Sequence, residues 1–178
     1  MVIAFAGRRI DAPDADQPRF PLGNVFEVRH RIRDLFLAEN ATALFSSGAC
    51  GADLLAQEEA VKLGLHTCLV LPFLPEQFRS SSVTDRPGEW SVLYDTIVQR
   101  ATRAGNLIVL PDGPEGDDAY GLVNRRILDE AILAAGEPRN VLAVIAWNGQ
   151  PRGAGDLTLA FREEAERRGV HVAEIQTL

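Results

Sequence analysis

The chain has 178 residues with 18 basic and 25 acidic side chains, a formal charge of −7, and 46% hydrophobic against 24% charged content. This is enough for one globular domain with a substantial core, and the acidic balance argues against non-specific attraction to nucleic acid or anionic membrane. Two cysteines, Cys50 and Cys68, and three histidines provide neither a disulfide framework nor a four-ligand zinc site.

In chain order, Val2-Ile3-Ala4-Phe5-Ala6 is a short apolar run ending at Gly7, which predicts a buried parallel strand. A loop rich in Pro and Asp follows over 11–23. Val25, Val28, Ile32, Leu35 and Phe36 then recur at helical spacing, with Asn24 and Glu27 set like a capping box. A second strand is predicted over 42–45, a glycine turn after it, and a helix over about 52–63. The third strand, 66–71, ends at Pro72. Residues 73–103 form an irregular excursion that leads into a helix near 91–101. Strands over 107–110 and 141–146, helices over about 120–135 and 157–168, and a last strand over 171–175 complete the pattern. Gly64, Gly136 and Gly169 stand where a left-handed residue ends a helix.

Strands alternating with helices predict an α/β fold: a Rossmann-like three-layer α/β/α sandwich around a mostly parallel sheet of about six strands. Residues 1–178 read as a single domain, with no internal repeat and no linker. No stretch approaches the roughly 18 apolar residues of a membrane span. The apolar run at the amino terminus is too short and too early for a secretory signal. The expected compartment is the cytoplasm, with no membrane partner.

In an open parallel sheet, ligands sit beyond the carboxyl ends of the strands, where strand order reverses. His66 and His171 begin strands and His30 lies within a helix, so a Ser–His or Cys–His nucleophile pair has no support. The predicted strand ends carry Gly7-Arg8-Arg9, Ser46-Ser47-Gly48-Ala49-Cys50-Gly51-Ala52-Asp53, Pro72-Phe73, Pro111-Asp112-Gly113 and Trp147-Asn148-Gly149. In the second of these, two glycines let the backbone approach a ligand, and the following helix aims its N–H groups at the crevice, as a phosphate site requires. It is neither G-x-G-x-x-G nor a P-loop, and by itself it serves equally as plain turn geometry. Asp53 likewise reads either as a ligand contact or as a carboxylate steadying the first helical turn.

Phe5-Ala6-Gly7-Arg8, followed by Ser46-Ser47-Gly48-Ala49-Cys50-Gly51-Ala52-Asp53-Leu54-Leu55-Ala56, resembles the SLOG (SMF/DprA–LOG) superfamily. There a strand ending in Gly-x-Arg or Gly-Ser-Arg precedes a Gly-Gly-Ala-Arg-Gly-x-Asp-x-x-Ala turn. The resemblance implies binding of the phosphates of nucleotides, nucleotide-derived messengers or nucleic acid, with Gly7, Arg8, Ser47, Gly48, Ala49, Gly51 and Asp53 along the ligand. Two departures stand out. Cys50 occupies a place where the family often has Arg. Pro111-Asp112-Gly113-Pro114-Glu115-Gly116-Asp117-Asp118 replaces the Pro-Gly-Gly-x-Gly-Thr-x-x-Glu of the cytokinin-activating LOG enzymes. Segments 70–73, 78–83 and 86–88 are similar to SLOG-type domains joined to bacterial signalling modules, where the implied role is sensing a nucleotide-like ligand.

The remaining candidates each have two readings. Arg8, with Arg9, could clamp phosphate bidentately or be a surface charge. Arg79 with Ser80 to Ser82 could be a second anion contact or a solvated capping loop. Trp147 could stack on a base or be buried against a helix. Tyr120 and Asn124, one helical turn apart, could reach the ligand. Asp112, Glu115, Asp117 and Asp118 could hold Mg²⁺ or form a solvated loop. The expected function is binding or sensing a small phosphate-bearing nucleotide ligand, with no cofactor required. The alternative is a phosphoribohydrolase or deoxyribosyltransferase-like cleavage of a nucleotide N-glycosidic bond, with Asp112, Glu115 or Glu130 stabilising an oxocarbenium-like sugar. DprA-like DNA binding is disfavoured by the net charge and the lack of a basic stripe. A homodimer is left open.

Overall fold

The computed structural model describes residues 1–111 and 117–178. Six parallel strands, β1 (Val2–Gly7), β2 (Ala43–Ser46), β3 (His66–Leu71), β4 (Leu107–Val109), β5 (Val141–Trp147) and β6 (His171–Gln176), form one sheet in the order β4-β3-β2-β1-β5-β6. The helices are α1 (Val25–Ala38), α2 (Ala52–Lys62), α3 (Pro75–Ser82), α4 (Trp90–Ala104), α5 (Asp117–Ala135) and α6 (Leu157–Arg167).

The two-residue period of β1 explains the layering. Ile3 and Phe5 face a core built with α1, α2, α3 and α4, through Ile32, Leu55, Phe78 and Tyr94 among others. Val2, Ala4 and Ala6 face the opposite core, with Val123 and Ile127 of α5 and Phe161 of α6. Both faces are therefore covered, and the result is the Rossmann-like three-layer sandwich expected of the strand–helix alternation. Helix α2 is buried on nearly every side, its polar Asp53, Gln57 and Glu59 included, because it lies on the sheet between α1 and α4.

Two local expectations are corrected. Asn24 and Glu27 make no capping box: Asn24 has helical dihedrals, and its amide donates instead to the Thr177 carbonyl at 3.0 Å. The excursion at 73–103 is not irregular throughout. Besides the expected second helix, it contains α3, which opens with Pro75 in its first turn and is anchored by buried Phe78 and Ser82.

From β1 the chain runs through β2 and β3 to β4 on one side. It then crosses back to β5 on the other side and continues to β6. The order thus reverses between β1 and β5, and a crevice opens beyond their carboxyl ends. Among the described residues, no helix is long and apolar enough to cross a membrane.

Candidate functional site

Strand β1 ends against α2 at very short range. A Cβ at Gly7 would lie 2.4 Å from the Ala52 Cβ, so only glycine fits there. Gly51 has φ +106°, and a Cβ on it would come within 2.8 Å of the Arg8 carbonyl oxygen. Its backbone pairs with Arg9, and the Ala52 amide donates to the Arg8 carbonyl at 3.1 Å. The glycine turn therefore docks the segment after β1 onto the start of α2, and one of the helix's amino-terminal amides is consumed in doing so.

What remains open is a cavity of about 200 Å³ at this junction. Gly7, Ser47, Ala49, Asp53, Tyr120 and Asn124 line it, as do Arg9, Ser82, Arg152 and Thr158. Its apolar wall comes from Ala6, Phe78, Val123 and Leu157. The Tyr120 ring packs near Phe73 and Phe78, and its hydroxyl shares a 2.8 Å hydrogen bond with Ser82 Oγ. The Asn124 amide donates to the Leu157 carbonyl at 3.0 Å, tying α5 to the start of α6.

Asp53 is the one carboxyl group lining this cavity among the described residues. Its Oδ1 accepts the Gly7 amide at 3.0 Å. Burial pushes this carboxyl up to about 7, against the opposing effect of the Gly7 and Ala49 amides and of Arg9. An acid that titrates near neutrality in a cavity is poised to exchange a proton with whatever binds there.

The cations divide into two kinds. Arg8 is buried and committed to the protein: its guanidinium meets Asp156 at 2.7 Å, donates to the Gln150 carbonyl at 2.7 Å, and lies 5.8 Å from the centre of the Trp147 ring. Asp156 caps α6 through the amides of Thr158 and Leu159, and also accepts the Arg152 amide at 2.6 Å. Burial alone would raise the Asp156 carboxyl, but these amides and Arg8 reverse that and hold it below the usual carboxylate range. Arg8 thus fixes Asp156, and Asp156 fixes the backbone of Arg152. Arg9, by contrast, stands at the cavity wall, paired with Asp85, and its Nε is buried with no hydrogen-bond partner among the described residues.

Arg152 is exposed and makes no ion pair among the described residues. Partial desolvation, together with the like charges of Arg8, Arg19 and Arg86, lowers its pKa in spite of Asp156. A guanidinium stays charged regardless, and Arg8, Arg19 and Arg86 place like charges near it in a chain that is acidic overall.

The other sequence candidates fall elsewhere. Gly48 backs onto Leu69 and Tyr94 rather than the cavity. Cys50 is fully buried beside Arg9, and burial raises its thiol. Arg79 is held by Asp95 at 2.8 Å on the outer side of α3 and does not line the cavity. Trp147 is buried, and its indole donates to Glu174 at 2.9 Å, which answers the stacking-or-burial question in favour of burial. Glu130 pairs with Arg126 at 2.7 Å and is not part of the lining. Asp112 and Glu115 lie outside the described residues. Among the described residues no cluster of His, Cys, Asp or Glu could hold a metal ion.

Sequence reasoning missed Arg152, Arg19 and Arg86. The signal for Arg152 lay five residues past the end of β5, in the loop that follows Trp147-Asn148-Gly149. No protein-family model and no curated protein matches the chain.

Proposed function

We propose that the protein binds a small phosphate-bearing nucleotide at the β1–β5 crevice, with the phosphate at Arg9 and Arg152 and the organic part in the cavity beneath. The observation that carries this reading is the pair of arginines, Arg9 and Arg152, in the lining of a cavity that combines an apolar and aromatic wall with the polar side chains of Ser47, Asp53, Ser82, Asn124 and Thr158. A cleft with apolar walls and a few convergent polar groups is the usual form of a small-molecule site, and paired arginines match phosphate geometry. The resemblance to the SLOG superfamily points the same way, since it implies a nucleotide ligand at Gly7, Ser47, Ala49 and Asp53. The role of Arg8 changes in this reading, from phosphate clamp to the residue that positions Arg152.

Thermal unfolding of the wild type and of Arg152→Ala against a panel of nucleoside monophosphates tests it. A ligand present at 100 times its Kd stabilises the native state by about 2.7 kcal/mol. A base-selective rise in Tm that Arg152→Ala abolishes supports the reading; no rise with any member of the panel refutes it.

One observation favours a second reading, cleavage of the N-glycosidic bond. Asp53 sits at the cavity with a carboxyl group titrating near 7, where it could protonate a departing base while water takes the sugar. Here Asp53 would be the acid, and Glu130, which is absent from the lining, would not reach the sugar to stabilise its cation. Chromatography for free base after incubation with each monophosphate distinguishes the two readings, and the enzymatic one requires release that Asp53→Asn abolishes.

A further inference from the structure

Beside the cavity runs a second, more open cleft of about 430 Å³. Arg152 lines both, so the two spaces meet at one arginine. Arg19 and Arg86 add two more cations to the cleft, and Asp11 and Asp16 are its carboxylates. Asp11 is already engaged, since its Oδ2 accepts the amides of Arg19 and Phe20 at 2.9 and 3.0 Å and holds the loop after β1 in place. Asp16 is exposed to solvent.

The three arginines are poorly compensated. Arg19 and Arg152 have no ion-pair partner among the described residues, and the Arg19 guanidinium makes only a long contact, 3.4 Å, to the Gln150 carbonyl. Arg86 approaches Asp85 at 3.6 Å, too far for a hydrogen bond, and Asp85 is shared with Arg9. The Nε of Arg86 is buried with no hydrogen-bond partner among the described residues. A buried donor left unmade costs stability. Holding like charges near one another adds to that cost. Such an arrangement is relieved by an anion between the guanidinium groups.

We propose that the ligand of this crevice is a nucleoside diphosphate or a larger nucleotide with a pyrophosphate link, its second phosphate lying in the cleft between Arg19, Arg86 and Arg152. The inference rests on the reading of the cavity as a nucleotide site and adds the number of phosphates. Arg152 stands at the junction and contacts both groups; Arg9 serves the first phosphate; Arg19 and Arg86 serve only the second.

Isothermal titration without magnesium, with matched nucleoside monophosphates and diphosphates, tests this on the wild type, Arg19→Gln, Arg86→Gln and Arg152→Gln. A thermal-unfolding check confirms that each variant folds. For the preferred base, the diphosphate should bind at least about 10-fold tighter than the monophosphate, the worth of one charge-assisted contact. Arg86→Gln and Arg19→Gln should erase most of that gain and leave monophosphate affinity within about 2-fold. Arg152→Gln should weaken both ligands. Equal affinity for the two ligands, or a diphosphate gain that survives in the Arg19→Gln/Arg86→Gln double variant, overturns the second-phosphate site while the nucleotide reading stands. Failure of both ligands to bind overturns the two together.

Discussion

Replacing Arg8 by Met separates the two roles this residue could have. The guanidinium and the Asp156 carboxylate are 2.7 Å apart, with side chains only 2% and 0% exposed. Breaking a buried pair from one side leaves the other charge without compensation, at a cost of about 3–5 kcal/mol. For a chain of this size each kcal/mol lowers Tm by about 2–4 °C, so Arg8→Met should lose about 6–20 °C. Asp156→Asn keeps a capping oxygen at the start of α6 but removes the charge. Combined with Arg8→Met, it should give a loss smaller than the sum of the two single losses by more than about 1 kcal/mol. Urea denaturation followed by tryptophan fluorescence measures all four corners of the cycle, with Trp147 beside the pair as the probe. The reasoning fails if Arg8→Met costs under about 1 kcal/mol yet abolishes nucleotide binding, because Arg8 would then be a ligand contact and not a positioning residue.

Asp53 makes stability depend on pH. Its folded pKa of about 7 lies above the ordinary carboxylate value, so the folded state binds the extra proton. Its contribution is therefore greatest below about pH 4, is lost as pH rises to 7, and is constant above that, a span of up to about 4 kcal/mol. Denaturation of Asp53→Asn at pH 4.5, 6 and 8 should show that slope removed; an unchanged slope would place the cause elsewhere. An anionic ligand raises the same pKa further, so nucleotide affinity should fall as pH rises through 7 in the wild type more steeply than in Asp53→Asn, as read by titration at pH 6 and 8. Gly51→Ala must adopt φ +106° and approach the Arg8 carbonyl, and should cost at least about 2 kcal/mol. Gly64→Ala, at a helix end with φ +74° but nothing within 4 Å of its Cβ position, should cost only the strain of the left-handed backbone, about 1–2 kcal/mol, in the same assay.

The sheet was legible because its strands are apolar runs bounded by Gly, Pro or polar residues, and because 3.6-residue spacing separates them. Helix α3 was not, since Phe78-Arg79-Ser80-Ser81-Ser82 lacks helical propensity and is held by packing of Phe78 and by Ser82 against Tyr120. The capping box at Asn24 and Glu27 misled because Asn24 takes helical dihedrals and its side-chain NH2 donates to the distant Thr177 carbonyl, with its oxygen making no cap to the local amides. At the site, the strand-end rule and the glycine turn brought Gly7, Ser47, Ala49 and Asp53 to one cavity, and helical spacing added Tyr120 and Asn124. The fate of Arg8 could not be read locally. Its partner, Asp156, is the cap that precedes α6, and nothing around either residue in the sequence announces the pair. Arg19, Arg86 and Arg152 come from three separate loops, so their convergence is a property of the fold alone.

Amide chemical-shift mapping of the labelled protein, during titration with the preferred nucleoside monophosphate, decides whether the β1–β5 crevice is the ligand site. The largest shifts should gather at Gly7, Arg9, Ala49, Tyr120, Arg152 and Thr158, residues from separate parts of the chain that this cavity brings together. Shifts confined to α1 and β6, or none at saturating nucleotide, would contradict it.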